Sequence, residues 1–392
     1  MSTTLPAKPR SLMLICGEPS GDQLGGQLMA SLKALTGDTI RITGVGGEAM
    51  AAQGLQTLFP LDATAVMGLR EVVPKIPEIL ARVRQAADFA VETQPDAVVL
   101  IDSPDFTHRI ARRVKKIAPR LATINYVAPQ VWASRAYRAR AMARYFDMVL
   151  ALLPFEAPFF EKYGLRSVFV GHPAIERARR MTGGEAFRAR HGIAPDVPLL
   201  AVLPGSRTNE IRFIFPVFRE TVTLLAKRIP GLVTILPTVP HVAAKVKAGA
   251  ENWPTPLHIV EGEDEKFAAF DAADAALAAS GTVTTEVALS RTPLVVAYKV
   301  GWLTATLMRP LIHVKFATLV NLLLDREAVP EFIQERCKPA ALADAVFPLL
   351  TDKAAAARQI ADLDEAMRRL GQGGEHPSLR AARAILDFVQ PR

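Results

Sequence analysis

The chain has 392 residues, half of them hydrophobic and 22% charged, which supplies a large core and excludes global disorder. Lys and Arg total 47 against 39 Asp and Glu, a net charge of +8 that favours anionic partners (phosphates, nucleic acid or acidic lipid headgroups) without choosing among them. Two cysteines, Cys16 and Cys337, exclude a disulfide framework or a cysteine-built metal cluster and fit a reducing compartment.

The apolar run Leu12–Cys16 is too short for a secretory signal and reads as a first buried strand. Further strands are expected at Ile40–Val45, Ala97–Ile101, Ala122–Val127, Met148–Leu152 and Val168–Val170. Helical patterns at Gly21–Leu35, Pro77–Glu92, Phe106–Ile117 and Ser134–Ala143 lie between several of them. Continuous apolar strands alternating with helices indicate a parallel sheet covered on both faces. A seam follows near Gly171–Pro198, where Gly183-Gly184, Pro195 and Pro198 punctuate a charged segment.

The second half repeats the plan, with strands expected at Leu199–Leu203, Leu232–Leu236, Leu257–Val260, Ala275–Ala279 and Leu294–Ala297. Its helices are expected at Glu210–Arg228, Val242–Ala250, Thr284–Leu289 and Ala341–Leu350, followed by an Ala/Arg/Leu-rich tail over Ala354–Val389. The class is therefore α/β, with two doubly wound Rossmann-like domains facing a cleft, and such folds bind ligands at the carboxyl ends of their strands. Residues 1–175 are assigned to the first domain and 176–353 to the second, with 354–392 packing back on the first.

The apolar stretch Leu294–Leu324 is interrupted by Lys299, Arg309, Pro310 and Lys315, so a membrane span is not expected. Within it, Trp302–Leu311 reads either as a core helix or as an interfacial helix with basic flanks. Ten Lys and Arg, with no acid, lie between Arg109 and Arg144 and point to a positive surface. Aromatics are scarce there, which disfavours nucleic acid.

Four strand-to-helix turns carry candidate chemistry. Gly17-Glu18-Pro19-Ser20-Gly21-Asp22 lets a ligand approach backbone at a helix start, or is a tight turn capped by Ser20 or Asp22; it lacks the dinucleotide and Walker patterns. Asp102-Ser103-Pro104-Asp105 puts two carboxylates at a strand end, suited to general-base work or, for Asp105, to capping. Gly205-Ser206-Arg207 offers backbone N–H groups and a guanidinium fork that suit a diphosphate, or is a turn with a surface arginine. Ser280-Gly281-Thr282 can cradle phosphate oxygens, with Glu286 one turn further on to accept from ribose hydroxyls, or is a capping Ser/Thr followed by a helical Glu. The seven histidines are scattered and show no metal-ligand spacing.

Together these segments resemble the lipid-A-disaccharide synthase family, glycosyltransferases of GT-B architecture. The matching motifs also include Gly44–Gly47, Met67-Gly68-Leu69-Arg70-Glu71-Val72, Tyr126–Ala133, Leu153-Pro154-Phe155-Glu156, Val170–Pro173, Val320–Leu323 and Val329–Gln334, in order along most of the chain. The resemblance implies that UDP-2,3-diacylglucosamine donates its sugar to the 6-hydroxyl of 2,3-diacylglucosamine 1-phosphate, inverting the anomeric centre without metal or cofactor. It makes Asp105 the general base, Asp96 and Asp102 its supports, and Arg207 the stabiliser of the departing diphosphate. It places Gly205, Ser206, Ser280, Gly281, Thr282, Glu286, Asn321 and Gln334 on the UDP-sugar, and Glu18, Ser20, Gly21, Met67, Gly68 and Glu71 on the acceptor side. Thr107 and Ser134 depart from the family pattern on that side. A cytoplasmic enzyme associated peripherally with the inner membrane is implied, with a homodimer left open. The alternatives are another GT-B sugar-nucleotide enzyme, either an undecaprenyl-linked transferase or a UDP-sugar epimerase, and a non-catalytic lipid-binding protein.

Overall fold

A computed structural model describes residues 10–37, 39–61, 69–133, 137–301 and 315–390. The Trp302–Leu311 stretch, Met67, Gly68 and Ser134 lie outside the described residues, as does the Glu71 side chain. The chain forms two units, Met1–Pro173 with Gly374–Arg392, and Ala174–Gly373.

The first unit holds six parallel strands: β1 (Ser11–Cys16), β2 (Arg41–Val45), β3 (Ala97–Ile101), β4 (Thr123–Tyr126), β5 (Met148–Ala151) and β6 (Arg166–Phe169), ordered β2-β1-β3-β4-β5-β6. Alternate residues of one strand enter different cores. Met13, Ile15, Val98 and Leu100 join Ala86, Ile110 and Val114 on one face, whereas Leu12, Leu14, Val99 and Ile101 join Leu28 and Leu32 on the other. Because both faces are covered, the strands carry no polar alternation, and this is why they read as continuous apolar runs.

The second unit repeats the design with β7 (Leu199–Leu203), β8 (Val233–Thr238), β9 (Leu257–Glu261), β10 (Ala275–Ala279), β11 (Leu294–Tyr298) and β12 (Glu331–Ile333), ordered β12-β11-β10-β7-β8-β9. The edge strand β12 is an addition to the sequence reading. It has three residues, and its Glu331 is buried although acidic.

The tail divides. Helix Pro377–Phe388 packs Ala381, Ala382, Ile385 and Leu386 into the first unit, on the face of Leu24 and Leu28. Helix Lys353–Leu370, expected to follow it, belongs to the second unit. The physical reason is polar as well as apolar. Gln359 accepts the Leu294 N–H at 2.5 Å, Asp364 pairs with Arg291 at 2.9 Å and Asp362 with Arg326 at 2.5 Å. No described helix is long and apolar enough to cross a membrane.

Candidate active site

In the first unit the candidate residues gather at the carboxyl ends of β1 and β3, which are neighbours in the sheet. Gly21 is required by close approach, since a Cβ there would lie 2.9 Å from Cys16 Cβ and 3.2 Å from the Ile101 carbonyl. Ser20 donates its hydroxyl to Asp102 Oδ2 at 3.0 Å, joining the two turns. Asp22 does not cap its own helix. Its buried carboxylate accepts N–H groups from Gly47 (2.7 Å), Ala49 (2.8 Å) and Met50 (3.1 Å), at the start of helix Glu48–Ala52. Glu18 stands at the N-cap position without a capping bond.

Asp102 and Ser103 both adopt left-handed backbone, with φ of 55° and 44°. For non-glycine residues this costs of order 1 kcal/mol each, so the surroundings must enforce it. They do: Asp102 N–H donates to the Tyr126 carbonyl (2.9 Å), and the Thr107 hydroxyl donates to the Asp102 carbonyl (2.6 Å). The turn delivers Asp105 to the first turn of helix Pro104–Ile117, exposed, its carboxylate without a hydrogen bond or ion pair among the described residues. A carboxylate whose lone pairs are free can accept a proton.

Two expectations on this side are corrected. Asp96 lies at the opposite end of β3, where its Oδ2 accepts the Ser11 N–H at 2.7 Å. Six residues of extended chain, roughly 20 Å, separate it from Asp102, so it ties β1 to β3 and does not support the base. Thr107 is fully buried and spends its hydroxyl on the Asp102 and Ser103 carbonyls, shaping the turn rather than facing an acceptor.

The basic run is also less uniform than its sequence. Arg113 pairs with Asp88 (2.9 Å) and Lys115 with Asp147 (2.7 Å), acids supplied by other parts of the fold. Arg112 lies over the Tyr145 ring at 4.7 Å. Arg109, Lys116, Arg120, Arg140 and Arg144 are exposed, and Arg135 lies outside the described residues.

In the second unit, the adjacent strands β10, β7 and β8 end around a cavity of about 280 Å³. It is lined by Gly205, Ser206 and Arg207 after β7, Pro237–Val239 at the end of β8, and Ser280, Gly281 and Thr282 after β10. Lys266, Glu210 and Glu286 complete the polar lining. Helix Thr282–Leu289 begins without a side-chain cap; the Thr284 N–H donates to the Gly281 carbonyl at 3.1 Å, which leaves the Thr282 and Val283 N–H groups at the helix start for an anion. Ser280 is half-buried, its hydroxyl 3.5 Å from the Ala317 carbonyl.

The turn after β7 differs from expectation. Gly205 has φ of 103°, and a Cβ there would lie 2.4 Å from Glu210 Oε2. That same oxygen accepts the Ser206 and Arg207 N–H groups at 3.0 and 3.1 Å. The Ser206 N–H therefore already holds an internal carboxylate and does not face a phosphate. The Arg207 side chain, 81% exposed, keeps one bond to Glu210 Oε1 at 3.1 Å and presents the rest of its fork outward. Glu210 enters the sequence reading only as the start of a helix, although a Glu three residues after an N-cap is half of a capping box.

Glu286 is buried, with Lys266 Nζ 2.8 Å from one oxygen and Arg177 3.1 Å from the other. Neither cation lies in a motif that singles it out. Asn321 is corrected outright. It is fully buried, its amide donates to the Val329 carbonyl (2.7 Å) and Glu331 (2.8 Å), and its oxygen accepts from Ala328 and Val329 N–H (2.8 and 2.9 Å). Both donors and both lone pairs are used, leaving nothing for a ligand. Gln334 follows β12 with φ of 51° and does not line the cavity.

The profile of the Lipid-A-disaccharide synthetase family matches residues 12–385. Lipid-A-disaccharide synthase of Rhodospirillum centenum is 48% identical over 385 residues, covering 98% of this chain and 96% of its own. That of Paramagnetospirillum magneticum is 48% identical over 381 residues, 97% of each chain. Among solved structures, the S. aureus MnaA–UDP co-structure aligns with a TM-score of 0.63 at 13% identity, covering 97% of this chain and 96% of that one. Acinetobacter baumannii MurG aligns with a TM-score of 0.55 at 15% identity, covering 97% and 99%. At such identities the likeness is one of fold, here the GT-B type. With a profile match and near-half identity spanning almost every residue, the chain belongs to the lipid-A-disaccharide synthetase family.

Proposed function

We propose that this glycosyltransferase joins UDP-2,3-diacylglucosamine to 2,3-diacylglucosamine 1-phosphate, forming the β-1,6 disaccharide 1-phosphate and UDP, with inversion and without metal. The observation that carries the reading is the second unit's cavity, where an uncapped helix start, an exposed guanidinium and a buried carboxylate bracketed by two cations meet at three strand ends. That set suits a nucleoside diphosphate. Backbone N–H groups of Gly281 and Thr282 take phosphate oxygens, Glu286 accepts ribose hydroxyls, and Lys266 offsets phosphate charge.

Asp105 takes the proton of the acceptor 6-hydroxyl as that oxygen bonds to the anomeric carbon. The carbon–diphosphate bond breaks on the opposite side, its electron pair leaves with UDP, and Arg207 stabilises the charge that develops there. Asp102 acts through the turn: its carbonyl and carboxylate hold Thr107 and Ser20, and so set where Asp105 stands. The first unit then serves the acceptor and the second the donor.

Both substrates carry acyl chains, each buried CH₂ adding about 0.8 kcal/mol to membrane partition. Exposed Arg109, Lys116, Arg120, Arg140 and Arg144, with exposed Ile117, form the face we assign to the inner surface of the cytoplasmic membrane. Replacing these five arginine and lysine residues by Gln should weaken sedimentation with anionic vesicles; unchanged sedimentation removes this part. The central test mixes the purified chain with both substrates in EDTA and follows UDP and disaccharide. Absence of product under conditions where a related synthase turns over removes the assignment.

A further inference from the structure

Among the described residues, the mechanism leaves two buried acids of the first unit unused: Asp22, which caps the Gly47–Met50 turn, and Glu156. Glu156 is 1% exposed, in the turn after β5, and its Oε2 accepts the Leu152 and Leu153 N–H groups, both at 3.0 Å. Its Oε1 accepts the indole N–H of Trp132 at 3.1 Å. Trp132 sits in the loop after β4, half-exposed, with its ring edge-on to Phe155 at 5.3 Å. Strands β3, β4 and β5 are consecutive neighbours, so this aromatic pair occupies the sheet end that also carries Asp105.

We infer that Glu156 is a positioning residue that holds the Trp132 indole as a flat wall for the acylated sugar ring of the acceptor. Three observations carry this. The indole spends its only polar atom on Glu156, so what remains for a ligand is an apolar face, and a pyranose presents just such a face in its C–H bonds. The ring is half-exposed at the ligand-binding end of the sheet, whereas the acid that holds it is sealed from water. Finally, the acid divides its oxygens: Oε2 is fixed by the two backbone N–H groups of its own turn, which leaves Oε1 to hold the indole alone. The inference rests on the acceptor occupying the first unit.

The test exploits a mismatch of donors. Glu156→Gln can keep its oxygen on the two backbone N–H groups, but its NH₂ then meets the Trp132 N–H, donor against donor. Steady-state kinetics on the full chain, with each substrate varied in mixed micelles, should show the acceptor KM rising about tenfold in Glu156→Gln, with the donor KM within twofold of wild type. Trp132→Ala should do the same, and the double variant should add nothing further. Trp132→Phe, which leaves the buried acid untouched and keeps a ring, should change the acceptor KM by less than Trp132→Ala. UDP affinity, read in the other unit, should not move. An unchanged acceptor KM in Glu156→Gln, multiplicative effects in the double variant, or equal rises in both KM values would overturn the proposal. A wild-type chain that makes no disaccharide would instead sink the transferase reading. In that case tryptophan fluorescence decides, read in a chain carrying Trp253→Phe and Trp302→Phe: if Glu156→Gln leaves the Trp132 emission unaltered, Glu156 does not position the ring.

Discussion

Glu210 offers the sharpest separation of architecture from chemistry. Its Oε2 caps the Ser206 and Arg207 N–H groups, while its Oε1 tethers the guanidinium of Arg207, a side chain that is 81% exposed. In Glu210→Ala both N–H groups lose their acceptor. Ser206 and Arg207 are exposed enough for water to replace it, so the loss is about 1–2 kcal/mol, the ordinary worth of a helix cap. For a unit of this size that lowers the melting temperature by roughly 2–8 °C. In Glu210→Gln the amide oxygen can retain both caps, and the exposed ion pair it gives up is worth little, so melting should stay within about 2 °C of wild type. Catalysis should part from stability. Freeing an arginine releases about 1–2 kcal/mol of side-chain entropy that must be lost again in the transition state, so kcat should fall roughly tenfold in Glu210→Gln. Calorimetry and UDP release read the two effects separately. If Glu210→Gln melts as low as Glu210→Ala, or if its kcat equals wild type while Arg207→Ala is impaired, the carboxylate does not aim Arg207.

Asp105→Asn should lower turnover by about 10²–10⁴ while UDP affinity by calorimetry stays unchanged; equal turnover would deny it the role of base. Asn321→Ala strands buried partners at Glu331, Ala328 and Val329 and should cost roughly 3 kcal/mol of stability with UDP affinity intact. A tenfold weaker UDP affinity at an unaltered melting temperature would reinstate Asn321 as a ligand contact. Burial, then the neighbouring Arg112 and Arg138, push His108 down to about 4, so the folded chain keeps it neutral. Below its ordinary value of 6.5 the unfolded chain binds the extra proton, and stability should fall as pH drops from 6.5 towards 4. His108→Gln should flatten that part of the pH–stability curve, and an identical slope would contradict the assignment.

Much of the fold was legible because burial on both faces writes itself into composition. Leu12–Cys16 and Ala97–Ile101 are apolar throughout, and no amphipathic alternative competes for them. Strand β12 escaped notice for the opposite reason. Its Glu331 reads as a surface acid, and becomes a core residue only because Thr318, Asn321 and the Ala317 N–H collect around its carboxylate. The strand-to-helix pattern located the four turns, yet a motif does not say which of its atoms are already engaged. Ser206 N–H, Asn321 and Thr107 all looked available and are all spent within the fold.

Residue order along the chain thus settled the class of fold and most of the succession of strands and helices, and marked the turns proposed to carry chemistry, since each depends on local pattern. Direction and partnership came only with folding. Asp96 and Asp102 are near neighbours in sequence but occupy opposite ends of β3, because an extended strand carries them apart. Arg177, Lys266 and Glu286 are distant in sequence and converge, because a parallel sheet brings the ends of separate crossovers to one edge. Electrostatic partners are chosen by distance through space, which a linear sequence does not record.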